Sequence, residues 1–290
     1  RLGQIGDFER PYTTMNFKAE ARIAREAMKF VENGLLYRGF RPVMWSPVEK
    51  TALADAEVEY HEKTSPTIYV KFPLAKAPAE LAHTFIVIWT TTPWTLPSNL
   101  GLAVNEKEDY VRIREKNPAG GKTSPEFILA KALWKNPFGK DAEKNFEVVE
   151  EVKGKALLGF HYEPLFPYFA DKAKEGAFKV IHSDHVTMDS GVGIVHMAPA
   201  FGEEDYFACQ REKLPIVNPV DDDGLFTDKV KDYAGRKVKD ADKDIIAELK
   251  KRGRLFKQDT IVHSYPFCWR TETPLIYRAL PSWYVEVTKF

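Results

Sequence analysis

Cysteine is nearly absent from this chain: it has two in 290 residues, Cys209 and Cys268, far apart and outside any Cys-x-x-Cys pair. Neither a disulfide scaffold nor a thiolate zinc site is indicated, and a reducing, cytoplasmic setting is expected. Net charge is lacking too, because 42 Lys and Arg offset 42 Asp and Glu. A chain so balanced has no long-range pull on nucleic acid, so any such contact must be local. Two basic runs could supply it: Lys229, Lys231, Arg236, Lys237 and Lys239, and Lys250, Lys251, Arg252, Arg254 and Lys257. Solvated helix faces and loops are the favoured reading of these runs. The longest apolar run, Phe85 to Trp89, is strand-sized, and Arg1 opens no signal peptide, so no membrane partner is expected. The chain starts without Met and is expected to be an excised piece of something longer.

The common catalytic signatures are missing as well. There is no Gly-x-Ser-x-Gly elbow, no phosphate-binding Walker loop and no His-Glu-x-x-His. Gly191-Val192-Gly193 lacks the third glycine of a dinucleotide fingerprint and precedes a strand-like run instead of a helix. His182 and His185 have the spacing of metal ligands but no third partner, and read as surface histidines. Asp221-Asp222-Asp223-Gly224 reads as an acidic turn, since its glycine is not in the sixth place of a calcium loop.

What is present is an ordinary globular composition, 44% hydrophobic and 29% charged. Phe17, Ala21, Ala24, Met28 and Val31 recur at helical spacing between Asn16 and Gly34, which predicts an amphipathic helix. Phe40 to Pro47 is broken by prolines and reads as a connector, with a boundary near residue 55. Short β-branched and aromatic runs follow at 67–72, 84–89, 110–113, 127–130, 178–182 and 192–197. Turn-rich stretches at 117–125 and 136–145 read as surface loops. Helices are expected at 203–213 and 242–252, the second stopped by Gly253. The expected fold is α+β: a mainly β, barrel-like centre with peripheral helices.

Two segments concentrate polar chemistry. In Trp89-Thr90-Thr91-Thr92-Pro93-Trp94-Thr95-Leu96-Pro97-Ser98-Asn99, four threonines and an amide directly follow an apolar strand. Their hydroxyls can donate and accept, which suits a ribose or an aminoacyl ester, but they can equally satisfy the backbone of a proline-constrained turn. In Gly191 to Tyr206, His196 sits at a strand end and Asp205 in the first turn of a helix. A carboxylate there could bind an ammonium group, or simply favour the helix dipole. The residues by themselves indicate only a polar pocket.

Taken in order, the two segments resemble those of isoleucyl-tRNA synthetases, whose editing domain is inserted in the Rossmann catalytic core. Pro11-Tyr12-Thr13-Thr14-Met15, Ala52-Leu53-Ala54-Asp55-Ala56-Glu57-Val58-Glu59-Tyr60, His263-Ser264-Tyr265-Pro266-Phe267-Cys268-Trp269-Arg270 and Pro274-Leu275-Ile276-Tyr277-Arg278-Ala279 extend the likeness over nearly the whole chain. Valyl and leucyl relatives typically carry Thr-Thr-Arg-Pro, whereas Thr90-Thr91-Thr92-Pro93-Trp94 points to the isoleucyl branch. Val192 replaces the threonine of many relatives, and Trp45 to Lys50 lacks the cysteines some place at this junction.

The resemblance implies a division into residues 1–55 and 259–290 as pieces of the Rossmann core, with 56–258 as the editing domain. It implies hydrolysis of valine mischarged on isoleucine tRNA, and possible action on valyl adenylate. The accepted logic for these enzymes is a double sieve, because a methylene is worth only about 1–3 kcal/mol in an apolar pocket. Asp205 would hold the α-ammonium, and His196 would limit side-chain size. Thr90, Thr91, Thr92, Thr95 and Asn99, with Trp94, would line the pocket, Thr91 and Thr92 positioning water. Partners would be the 3′ end of isoleucine tRNA and the rest of the synthetase in cis. No metal or cofactor is expected for editing. ATP and Mg2+ belong to the full-length enzyme, since His-Ile-Gly-His and Lys-Met-Ser-Lys-Ser are absent here. The alternatives are a non-catalytic insertion that binds the tRNA 3′ end, and the editing domain of a valyl-type synthetase.

Overall fold

The structure is a computed structural model describing residues 3, 5–76, 78–117 and 124–289. Its strands are β1 (Leu36–Ser46), β2 (Thr51–Ala52), β3 (Val58–Ala75), β4 (Thr84–Thr90), β5 (Gly101–Val104), β6 (Asp109–Glu115) and β7 (Glu126–Ala130), followed by β8 (Phe146–Lys153), β9 (His161–Tyr162), β10 (Lys179–His182), β11 (Val195–Met197), β12 (Leu255–Cys268) and β13 (Ile276–Val285). The helices are α1 (Phe17–Glu32), the single turns α2 (Ala142–Asn145) and α3 (Gly154–Leu157), α4 (Glu203–Arg211) and α5 (Asp242–Lys251). The chain is mixed α+β and mainly sheet.

It divides into two compact units, one from residues 1–41 and 280–290, the other Pro42–Ala279. In the first, Asn16 caps α1 by accepting the Lys18 N–H at 2.9 Å. No residue of α1 is buried. Tyr37 and Tyr284 stack at 5.9 Å, with the Arg41 guanidinium over both rings.

The second unit contains the whole stretch 56–258 and extends past it on both sides. β3 and β12 pair without a break from Val58↔Cys268 to Tyr69↔Lys257, which ties residues 259–268 into the unit. Trp45 Nε1 donates to the Asp222 carbonyl at 2.9 Å, doing the same for residues 42–46. The expected connector at 40–47 is thus largely strand.

Ten strands form one sheet in the order β11-β5-β10-β9-β3-β4-β7-β6-β8, with β12 added on β3. The sheet expected as barrel-like is not closed. Closure requires the end strands to pair, and β11 and β8 end the path unpaired with each other among the described residues. The reason lies in β3, whose 18 residues pair β12 over one stretch, β4 over another and β9 at Leu74 and Ala75, so the sheet branches. Parallel pairs β10–β5 and β4–β7 make it mixed.

Along β3, Ile68, Val70 and Phe72 are fully buried, alternating with partly exposed Tyr69 and Lys71, the period expected of a strand with one face on the core. β5 is buried at every residue because β10 and β11 flank it. Each expected β run contains a strand, although 192–197 shortens to β11 behind a turn. Residues 136–145 hold tight turns and α2, and most of the expected loop at 117–125 lies outside the described residues.

That turn places the site. Tyr110 Oη accepts the Asn105 N–H and donates to the Gly193 carbonyl, both at 2.9 Å, while the Ala130 N–H reaches the Val192 carbonyl. Gly193 has φ +69, and a Cβ on it would lie 2.3 Å from the Ala130 Cβ. Gly193→Ala therefore combines a left-handed backbone with an overlap, and is expected to destabilise the protein by about 3 kcal/mol. Urea unfolding of both proteins checks this; a loss below about 1 kcal/mol would show that the turn is not packed as described.

Candidate functional site

β4 carries the threonines from the sheet into a turn of 3-10 helix, Pro93–Ser98, whose six residues are all buried. Proline at its first position suits a helix start, where no N–H is needed. The Thr90 hydroxyl accepts the Thr92 N–H at 3.0 Å, and the Thr95 hydroxyl donates to the Thr92 carbonyl at 2.9 Å. Part of the threonine chemistry thus holds the turn itself, as short hydroxyl side chains do. Thr91 and Thr92 remain half-exposed.

The second segment reaches the same place through the sheet. β11 pairs antiparallel with β5, setting His196 opposite Leu102, a few residues beyond the turn. There the His196 Nε2 meets the Thr95 Oγ1 at 2.9 Å, both side chains buried. The Thr95 hydroxyl has one hydrogen, already given to the Thr92 carbonyl, so His196 Nε2–H is the donor. Its Nδ1 is then a bare, buried acceptor without a hydrogen-bond partner among the described residues. Burial pushes the ring's pKa down to about 4, so His196 is neutral at physiological pH.

Asp205 stands in the first turn of α4 beside Glu203 and Glu204, where the helix dipole favours negative charge. Its Oδ2 accepts the Ala198 N–H at 2.8 Å, which fixes it to the strand end two residues past His196. Burial raises its pKa to about 6 against that hydrogen bond, with Glu204 adding to the rise. The carboxylate is poorly solvated and open to an additional cationic partner.

A cavity of about 230 Å³ adjoins the turn. Thr90 and Thr91 line it, together with Trp89, His185, Thr187, Ser190 and the Gly191–Val195 segment. Thr92, Thr95, His196 and Asp205 are not among its lining residues. Among the sequence-derived candidates, the structure joins Thr90, Thr92, Thr95 and His196 by direct hydrogen bonds, and Thr91 by the cavity. Asn99 is engaged elsewhere: its amide donates to the Gly101 carbonyl at 2.8 Å and its oxygen accepts from Tyr162 at 2.7 Å. Trp94 packs edge-on against Phe201 at 4.9 Å.

Thr187 and Ser190 carry no motif, and sequence reasoning passed over them. Their one signal is their place just before Gly191. His185 is not a surface histidine: it is half-buried, its Nδ1 lies 2.6 Å from the Ser183 hydroxyl, and burial lowers its pKa. Ser183 itself is buried and does not line the cavity, so this pair does not present a nucleophile there. Among the described residues, no group of three His, Cys, Asp or Glu is placed to hold a metal ion. The arrangement offers hydroxyls, a neutral imidazole and a carboxylate that ionises near pH 6, a set suited to positioning water and a polar substrate.

Comparison with known proteins agrees with the motifs. The isoleucine–tRNA ligase of Bdellovibrio bacteriovorus is 52% identical over 100% of this chain and 27% of its own length. The cytoplasmic isoleucine–tRNA ligase of Arabidopsis thaliana is 43% identical over 99% of this chain and 26% of its own length. The chain thus spans about a quarter of these relatives. A solved editing domain of the P. knowlesi cytosolic leucyl-tRNA synthetase aligns with a TM-score of 0.46 at 12% identity, covering 67% of this chain and 96% of that one. The family model of tRNA synthetases class I (I, L, M and V) matches residues 1–290, and the chain belongs to that family.

Proposed function

We propose that this chain is the editing segment of an isoleucyl-tRNA synthetase, hydrolysing the ester that joins valine to isoleucine tRNA, with valyl adenylate as a second substrate. The observation that carries the reading is the Thr95–His196 hydrogen bond, which unites the two motifs beside a cavity lined by Thr90 and Thr91. Membership of the family and the names of the relatives support the isoleucyl branch. Residues 1–55 and 259–290 are assigned to the catalytic core, and the rest of the synthetase is the partner in cis. No helix among the described residues is long and apolar enough to cross a membrane. A cytoplasmic setting, stated in the name of the Arabidopsis relative, is proposed here too.

In the proposed reaction, water attacks the ester carbonyl, the bond to the ribose oxygen breaks, and that oxygen takes up a proton. Asp205 binds the α-ammonium group. Thr91 and Thr92 hold the water, Thr90 and Thr95 keep the turn in shape, and a ribose hydroxyl of the substrate assists by position. Neutral His196 stands against the amino-acid side chain and limits its size. Asn99 and Trp94 act through the turn they brace. Editing needs no cofactor in this proposal, and ATP and Mg2+ serve aminoacylation by the whole enzyme.

The chain is expected to deacylate valyl-tRNA for isoleucine and to leave the isoleucyl form intact. Loss of a charge-assisted hydrogen bond in Asp205→Ala should lower kcat/KM by roughly 10- to 100-fold in a protein that still folds. Hydrolysis of neither ester by the unaltered chain would favour a non-catalytic insertion, and activity on threonine-charged valine tRNA would favour the valyl type. Undiminished hydrolysis by Asp205→Ala would remove that residue from the site.

Exhaustive chelation with EDTA is expected to leave the rate unchanged. A loss that zinc restores would overturn the role given to the hydroxyls.

The pH dependence has a definite sign. The raised pKa of Asp205, about 6, means its carboxylate forms only above that value, so kcat/KM should fall as pH drops through about 6. His196, neutral down to about 4, adds no limb between. After subtraction of spontaneous hydrolysis, a rate that stays level as pH falls through about 6 would contradict the assignment.

A further inference from the structure

Away from the cavity, the ladder of β3 and β12 presents a cationic face that the proposed reaction does not use. Lys63 stands directly across from His263, and Tyr265 lies two residues further along. The Lys63 Nζ sits 4.5 Å from the centre of the Tyr265 ring, and the Lys239 Nζ sits 4.8 Å from the same centre. Lys239 also lies 5.7 Å from the ring of Trp94, in the turn that follows the threonines. Two ammonium groups therefore share one aromatic ring. Neither has an ion pair within 4.0 Å or a hydrogen bond among the described residues.

Among the described residues, the only carboxylate acting on both lysines is Asp242, which is buried, accepts the backbone N–H of Trp94 and leaves its Oδ1 without a hydrogen bond. Burial raises its pKa to about 6, while Lys63 and Lys239 are lowered by burial, with Lys239 further lowering Lys63. His263 is lowered by burial and by both lysines, and its Nε2 is spent on Ser65 Oγ at 3.0 Å. Two positive charges face one reluctant negative charge, which leaves the cluster one anion short.

We infer that Lys63 and Lys239, which share the Tyr265 ring, form a binding site for a phosphodiester of a single-stranded RNA end. Choosing RNA over a free anion rests on the proposed function; the unneutralised lysine pair does not. The aromatic ring suits a nucleic-acid strand, which offers both a phosphate and a stacking face. Because Trp94 belongs to the turn that carries Thr90 to Thr92, a strand whose last nucleotide reaches the threonines has its preceding phosphates close at hand.

The test is a titration of the full chain with the tetraribonucleotide ACCA at several salt concentrations, beside a parallel titration with inorganic phosphate. Binding of ACCA should be tighter than that of phosphate and should weaken with salt. Lys63→Met and Lys239→Met should each reduce the slope of log K against log [salt] by about 0.7, the value of one single-strand phosphate contact. Lys63→Arg, which keeps the charge, should retain the slope, and so should Lys140→Met, outside the cluster. Unchanged slopes in both methionine variants would overturn the site, as would phosphate binding without ACCA binding.

Hydrolysis of a valyl ester of adenosine, which has no phosphodiester, reports separately on the proposed reaction. Ester hydrolysis without ACCA binding removes the anion site alone. ACCA binding with the expected slopes but without ester hydrolysis leaves the anion site and removes the reaction.

Discussion

The buried hydrogen bond from His196 Nε2 to Thr95 Oγ1 is the contact on which the site depends, because it joins residues 101 positions apart that belong to different motifs. It can form only if β11 holds its register on β5, since a slip of one residue would turn His196 to the opposite face. It also needs the turn after β4 to keep its shape, which the Thr92 carbonyl ensures by accepting from both the Thr95 backbone and the Thr95 hydroxyl. Sheet, turn and histidine tautomer are therefore one coupled arrangement. A polar contact with so little solvent around it is costly to break and correspondingly specific.

Burial acts on the two titratable residues of the second motif in opposite directions. It lowers His196 and raises Asp205, in each case favouring the neutral form. The imidazole consequently stays uncharged where the carboxylate is ionised and accepts the Ala198 backbone N–H. A cationic group approaching this region meets carboxylates and no competing imidazolium. Of the lysine pair at Tyr265, Lys239 also lies over the ring of Trp94, in the turn that follows the threonines.

Apolar strands were legible in the sequence because their side chains are buried. Thr84–Thr90 and Glu126–Ala130 show the hydrophobic runs that pack the core. β12 was not, since Gln258, Asp259, Thr260, Val262 and Ser264 are exposed and its stability comes from pairing with β3 along nearly its whole length. β1 was hidden by Pro42, and β5 by its brevity. The openness of the sheet depends on which strands β3 meets along its 18 residues, a long-range fact that no local pattern encodes. At the site, threonines, His196 and Asp205 stood out by residue type and motif. Asn99 shared that prominence, yet its amide is spent on Gly101 and Tyr162, while Thr187 and Ser190 line the cavity with no motif to mark them. Residue type announces capacity for hydrogen bonding; only the fold decides which partner takes it.

Rigidity follows from the proposed task. Rejecting a substrate that is one methylene too large relies on a wall that does not yield, because a pocket able to relax by a fraction of an ångström would admit it. The turn meets that demand through placement more than composition. All six residues of Pro93–Ser98 are buried, Trp94 is wedged against Phe201, and Asn99 is bonded at both ends of its amide. On the opposite side, Gly193 is pinned by Tyr110 and leaves no room for even a methyl group beside Ala130. The threonines between these anchors are thus presented by a scaffold with few soft degrees of freedom. A site that works by holding water and excluding bulk needs that stiffness more than it needs a strongly activated nucleophile.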